Sequence, residues 1–374
     1  MSSPRVVVAP DKFKGSATAV EVADAVGRGV VTERPDAEVA RVPIADGGDG
    51  TLAAAVAAGF HLVPVTVSGP TGHPVRTAYA RRGDTAVVEM ADACGLARLP
   101  SGVPAPREAS SRGLGEVLAA ALDASCTEIV LGIGGSASTD GGAGMLCALG
   151  ARILGRDGEP LGEGGAVLES VAALDLTGLH PRLAEASTVV ACDVDNPLTG
   201  PGGAAAVYGP QKGADDTTVA VLDAGLQRWA DGVATAVGFD VRNMPGAGAA
   251  GGVGFAALAV LDAVLRPGID LVLDLAGFDE QVAGSDLVIT GEGSLDAQSL
   301  RGKAPVGVAA RAAEHGARTI AVCGRRDLSD DDLRAGGIHG ALALLDLEAD
   351  VERCLRAPLP LLEQLGREIA RRHM

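Results

Sequence analysis

Aromatic residues are almost absent from this 374-residue chain, which has one Trp, two Tyr and five Phe. The stacking platforms that single-stranded nucleic acid uses are therefore missing. Positive charge is short as well. With 31 Lys and Arg against 48 Asp and Glu, the formal charge is −17, and a phosphate backbone finds no basic footprint. Nucleic acid is excluded as a partner on both counts, and the acidity reads as a solvating surface. No apolar run approaches the roughly 18 residues of a membrane span. The opening "MSSPRVVVAPDKFKG" holds too short an apolar stretch for a signal peptide. The expectation is a cytoplasmic protein with no membrane partner; homo-oligomer formation stays open. The six cysteines (Cys94, Cys126, Cys147, Cys192, Cys323 and Cys354) show no close metal-ligand spacing, and the six histidines are equally scattered. Reduced, buried thiols are expected, and a dedicated zinc site is not.

Lysine is scarce too: only Lys12, Lys14, Lys212 and Lys303 occur, three of them beside a glycine. In an Arg-rich chain such survivors mark places that want a compact ammonium on a flexible stem, such as beside a phosphate.

What is present is β-α alternation. "RVVVAP" (residues 5–10) reads as a buried strand, and Thr18 with Glu21 has capping-box spacing ahead of a helix lined by Val22, Val26 and Val30. "EVARVPIAD" (38–46) is a second strand, followed by a glycine turn and an Ala-rich helix. Residues 61–90 alternate strongly and read as consecutive antiparallel strands. A helix near 112–124, the strand "EIVLGI" (128–133), a glycine loop and a helix to Gly150 follow. Further on come the strand "STVVACD" (187–193) and an amphipathic helix striped by Val219, Leu222, Leu226, Trp229, Val233 and Val237. From Asp286 the β-α rhythm resumes. The length calls for two domains. The expected fold class is α/β: a Rossmann-like domain with a mostly parallel sheet (1–60, 107–150 and 275–374), interrupted by a smaller mixed α/β domain (61–106 and 151–274). The active-site cleft is expected between them.

Five segments join glycines to polar residues just after predicted strands: "APDKFKGS", "ADGGDGT", "GIGGSASTDGGAG", "CDVDNPLTGPGGA" and "TGEGSLDAQSLRGK". Ligands of open α/β sheets bind at the carboxyl ends of strands, so these loops are expected to converge there. Their chemistry suits phosphoryl transfer. Backbone N–H groups of a Gly-Gly-Ser turn before a helix can cradle phosphate. Mg²⁺ takes one or two carboxylates plus phosphate oxygens, while a lysine neutralises charge and a carboxylate accepts the substrate proton. "GIGGSA" also fits a dinucleotide fingerprint, although no acidic strand end follows at the usual spacing. A nicotinamide-dependent oxidoreductase of small hydroxy acids is thus the alternative. No P-loop occurs, since Ala304 follows Gly302 and Lys303. Asp46 and Asp140 each read equally well as helix caps. The glycine run "PGAGAAGGVGF" (245–255) carries no charge and suits a hinge or tight packing.

Six ordered motifs carry a resemblance: "APDKFKGSATA", "PIADGGDGT", "GIGGSASTDGGAGM", "DVDNPLTGPGGA", "PGAGAAGGVGFA" and "DLVITGEGSLDAQSLRGKAPVGVA". The chain resembles, over nearly its whole length, the bacterial class I glycerate kinases. The resemblance implies an ATP- and Mg²⁺-dependent kinase that phosphorylates D-glycerate, usually on the 2-hydroxyl, with the 3-hydroxyl as the variant outcome. It implies substrate contacts at Asp11, Lys14, Asp46 and Asp140, and phosphate contacts at Gly134, Gly135, Ser136 and Lys303. Asp193 and Glu292 are the implied metal ligands, and Asp296, Asp193 and Lys14 the implied catalytic groups. Asp296 is the expected base, and Lys14, with Arg112 second, the expected holder of the substrate carboxylate. Lys12 stands where the family usually has Ser. Ser294 stands where a basic residue often follows Gly-Glu-Gly, leaving Lys12 or Arg301 to substitute.

Overall fold

The computed structural model describes residues 3–300 and 302–374; Arg301 lies outside them. Thirteen strands follow one another among the described residues: β1 (Arg5–Pro10), β2 (Glu38–Arg41), β3 (His61–Ser68), β4 (Pro74–Arg82), β5 (Thr85–Glu89), β6 (Glu128–Gly132), β7 (Arg152–Leu154), β8 (Ala173–Asp175), β9 (Ser187–Ala191), β10 (Val264–Arg266), β11 (Leu287–Leu295), β12 (Arg318–Arg326) and β13 (Ala341–Ala343). The chain divides into two compact units. The first comprises Met1–Asp46, Ala53–Gly59 and Ile269–Met374, and the second Gly47–Leu52 and Phe60–Gly268.

The first unit is built on a five-stranded sheet in the order β13-β12-β11-β1-β2, parallel throughout. A parallel strand covered on both faces must be apolar at every position, and β1 is. Val6 and Val8 pack on one side with Val26, Ile289, Ile320 and Leu365; Val7 and Ala9 pack on the other with Val272, Phe278 and Val308. Helices Ala19–Glu33 and Pro358–His373 lie on the first of these faces. They approach so closely that a Cβ on Gly29 would sit 2.0 Å from the Glu363 carbonyl oxygen. The expected capping box of Thr18 and Glu21 is formed. Sheet order reverses between β1 and β11, from which the chain winds outward in both directions. That reversal is where such sheets bind ligands.

The second unit holds a six-stranded mixed sheet, β10-β9-β6-β5-β4-β3, with β3, β4 and β5 antiparallel and the rest parallel. Its core surrounds the amphipathic helix Asp216–Val237, whose Leu222, Leu226, Trp229 and Val233 are fully buried. Two sequence expectations are corrected here. Residues 107–150 do not join the first sheet, because β6 pairs with β5 and β9. With them included, the interrupting unit becomes the larger of the two, not the smaller.

Candidate active site

In the first unit, the acids gather at the reversal between β1 and β11. Asp11 follows β1 directly, its N–H donating to the Gly291 carbonyl at 2.8 Å. Its Oδ1 accepts from the Lys12 N–H at 2.6 Å. Burial pushes the Asp11 carboxyl up to about 7; Lys12 opposes that rise, while Asp46 and Glu292 add to it. Glu292 is 8% exposed. It lies inside β11, opposite Cys323 of β12, and not on the flexible connection its flanking glycines suggest. Burial raises its pKa, Ser299 and Lys303 restrain the rise, and Asp296 and Asp46 reinforce it. The Glu292 Oε1 is buried and has no hydrogen-bond partner among the described residues. A buried polar atom left unsatisfied calls for an explanation, an ion among them.

Asp296 heads the turn that leaves β11. Its Oδ1 accepts from the Gln298 N–H at 2.7 Å, and its own N–H donates to Ser299 Oγ at 3.0 Å. Lys303 is the residue before helix Ala304–Glu314, and its Nζ lies 3.4 Å from Gln298 Oε1. Lys14 is exposed, in a turn closed by the Phe13 N–H donating to the Ala17 carbonyl at 2.8 Å. That turn lies over Gly293, where an added Cβ would sit 3.5 Å from the Lys14 backbone nitrogen. Asp11, Asp46, Glu292, Asp296, Lys14 and Lys303 thus share one edge of one sheet.

In the second unit, the carboxyl ends of β5, β6 and β9 carry Glu89, the glycine loop and Asp193. Gly135 is exposed with φ +73, and Ser136 beside it is buried. The helix after the glycine loop starts seven residues beyond Ser136. Gly141 and Gly142 both take left-handed angles and delay it to Ala143–Ala148. The helix-start argument for phosphate and the dinucleotide fingerprint both lose their geometry there, and backbone N–H groups alone remain. Asp140 is fully buried, with Oδ2 accepting from the Ser111 N–H and Oγ at 2.8 Å and the Gly144 N–H at 3.2 Å. Its Oδ1 accepts from the Gly142 N–H at 3.2 Å. It holds the loop together through the Ser111 hydroxyl and the N–H groups of Gly142 and Gly144. Asp193 is exposed, and its Oδ1 accepts from the Gly268 N–H at 2.9 Å. Arg112 is paired with Glu163 and Glu116. The run 245–255 packs tightly: a Cβ on Gly251 would lie 2.1 Å from the Ser138 carbonyl oxygen. Among the described residues, no three His, Cys, Asp or Glu side chains are grouped to hold a metal.

Two buried groups escape sequence reasoning. Glu89 is 4% exposed, and its two oxygens accept from the Gly50 and Leu52 N–H groups at 3.1 and 2.9 Å. It, and not Asp46, supplies these bonds to the backbone entering helix Thr51–Ala57. Lys212 is 2% exposed; the only signal for it was lysine scarcity.

Acids, glycine turns and a few lysines at the carboxyl edges of parallel strands define an α/β enzyme of small anionic substrates. The chain belongs to the glycerate kinase family, whose model matches residues 6–374. It is 42% identical to the glycerate kinase of Bacillus subtilis (strain 168), covering 98% of this chain and 97% of that one. To the glycerate 2-kinase of Escherichia coli (strain K12) it is 40% identical, again over 98% and 97%. A crystal structure described as a candidate glycerate kinase 2 from Salmonella typhimurium LT2 superposes with a TM-score of 0.87 at 41% identity, covering 99% of this chain and 98% of that one. No helix among the described residues is long and apolar enough to cross a membrane.

Proposed function

We propose that the protein transfers the γ-phosphoryl group of ATP to D-glycerate, on the 2-hydroxyl, giving 2-phospho-D-glycerate. The observation that carries the chemistry is Glu292, a strand carboxylate beside Asp11, Asp46, Asp296 and Lys303, with a buried oxygen that has no hydrogen-bond partner among the described residues. The choice of the 2-position is supported by the Escherichia coli relative, a glycerate 2-kinase.

Mg²⁺ needs one or two protein carboxylates, with phosphate oxygens and water filling its other positions. Glu292 fits that need and would hold the ion. Bound there, the ion would neutralise charge on the phosphates. Asp296 accepts the hydroxyl proton of glycerate, and the exposed Lys14 holds its carboxylate. Asp11 and Asp46 hydrogen-bond the substrate hydroxyls. Lys303 offsets charge on the transferred group, and in the second unit Gly134, Gly135 and Ser136 cradle phosphate.

The test is ³¹P NMR of the protein with ATP, Mg²⁺ and D-glycerate. The expected product is a phosphomonoester coupled to the C2 proton, appearing as ADP forms. An ester on C3 would overturn the position of transfer, and no ester at all would overturn the activity.

A further inference from the structure

Lys212 closes the turn Pro210–Lys212, between helix Ala204–Tyr208 and helix Asp216–Val237. The turn is fixed on both sides. The Lys212 N–H donates to the Gly209 carbonyl, and Gly213 takes φ +91 against Pro104, where a Cβ would approach to 2.4 Å. From this position the side chain runs inward. Its Nζ donates to Ser136 Oγ at 2.6 Å and to the Ser138 carbonyl at 2.6 Å. Enclosing an ammonium in a protein interior is costly, and a chain that removes lysine elsewhere has kept one here.

The direction of the bond to Ser136 has a consequence. A hydroxyl offers one donor and two acceptor positions, while a lysine ammonium has donors only. Ser136 therefore accepts from Lys212, and its own proton must point to another acceptor. Among the described residues nothing takes it. The neighbouring Gly135 is exposed, and its φ of +73 bends the backbone at that point.

We propose that Lys212 is a positioning residue for phosphate binding: by donating to Ser136 Oγ from the interior, it turns the Ser136 proton outward as a donor to the nucleotide phosphate on residues 134–136. The proposal rests on the reading of those residues as a phosphate cradle. Burial lowers the Lys212 ammonium to about 8, with Asp140 and Cys94 opposing the drop. Burial pushes the Cys94 thiol itself up to about 12, so it stays neutral in the relevant range. Asp140 has its oxygens filled by Ser111, Gly142 and Gly144. Once Lys212 loses its proton, the amine can accept from the Ser136 hydroxyl. The serine proton then swings inward, and the donor to phosphate is lost.

Calorimetric titration of the full chain with ADP tests this in wild type, Ser136→Ala, Lys212→Met and the double variant. Each single change should weaken ADP roughly tenfold, the worth of one charge-assisted hydrogen bond. The double variant should lose no more than either, because the two residues act through one bond. KM for glycerate should not move. Wild-type affinity should fall above about pH 8, and that of Ser136→Ala should stay flat. Additive losses, or the same pH curve in both proteins, would overturn the proposal. The pH comparison decides alone if Lys212→Met does not fold. Gly135→Asp puts a negative charge on an exposed left-handed position where a Cβ would meet the Ala91 Cβ at 3.1 Å; with an unchanged thermal midpoint showing that the loop survives, it separates the two failures. If it abolishes ADP binding while the Ser136 and Lys212 variants keep theirs, the cradle stands and the role of Lys212 falls. If all three bind ADP normally, the cradle falls too.

Discussion

Asp296 and Glu292 are four residues apart, yet their surroundings give them different work. Glu292 is locked in strand pairing with Cys323 of β12, and burial disfavours its charge until a cation arrives. Asp296 sits where the chain has left the strand, with one oxygen bound to the Gln298 N–H and the other unengaged among the described residues. A base needs a free lone pair within reach of the proton it takes. Asp296→Asn keeps the turn's shape but removes that lone pair's basicity. It should lower kcat by roughly 10²–10⁴-fold, with the thermal midpoint unchanged. Steady-state kinetics beside a melting curve checks both parts, and near-normal turnover would take the base role from Asp296.

At the scale of elements, the glycines around Glu292 mislead a reader of sequence. Gly291 and Gly293 suggest a flexible connection, but β11 runs straight through them to Leu295. Gly291 is needed for space: a Cβ there would lie 2.3 Å from the Val322 carbonyl oxygen across the sheet. Gly291→Ala should therefore cost about 1–3 kcal/mol, the usual penalty for overfilling a packed site. Urea unfolding would show it as a lower midpoint at unchanged slope, and an unchanged midpoint would contradict it. The elements themselves were largely legible, because apolar runs and 3.6-residue stripes are local signals. β1, β9, the antiparallel run from β3 to β5 and the helix Asp216–Val237 lie where the patterns put them. What was not legible is pairing. A buried parallel strand such as β6 reads alike whichever sheet it enters, so residues 107–150 could not be allotted. The site follows the same rule. Acids near glycines were visible in the chain, whereas the part of Asp140 depends on Ser111, 29 residues away. Those of Glu89 and Lys212 depend on partners 37 to 76 residues distant.

For the molecule as a whole, acids held near neutral pH make stability depend on acidity. Burial raises both Asp11 and Glu89 to about 7. A carboxyl whose folded pKa exceeds its unfolded value binds its proton better when folded. That stabilisation is full below the unfolded value, near 4, and is lost as pH rises through about 7. Urea unfolding at about pH 5 and about pH 8 should show the wild type losing stability between them. Glu89→Gln, which cannot titrate, should lose less, and an equal loss would show that Glu89 does not contribute. The scarcity of lysine reaches the whole molecule too. Of its four side-chain amines one is enclosed, and the others, Lys12, Lys14 and Lys303, stand at the acid-bearing edge of the first sheet. An acylating reagent that would scatter over an ordinary surface has few side chains to meet here outside that edge, so a chemistry with no selectivity of its own becomes a label directed to the site.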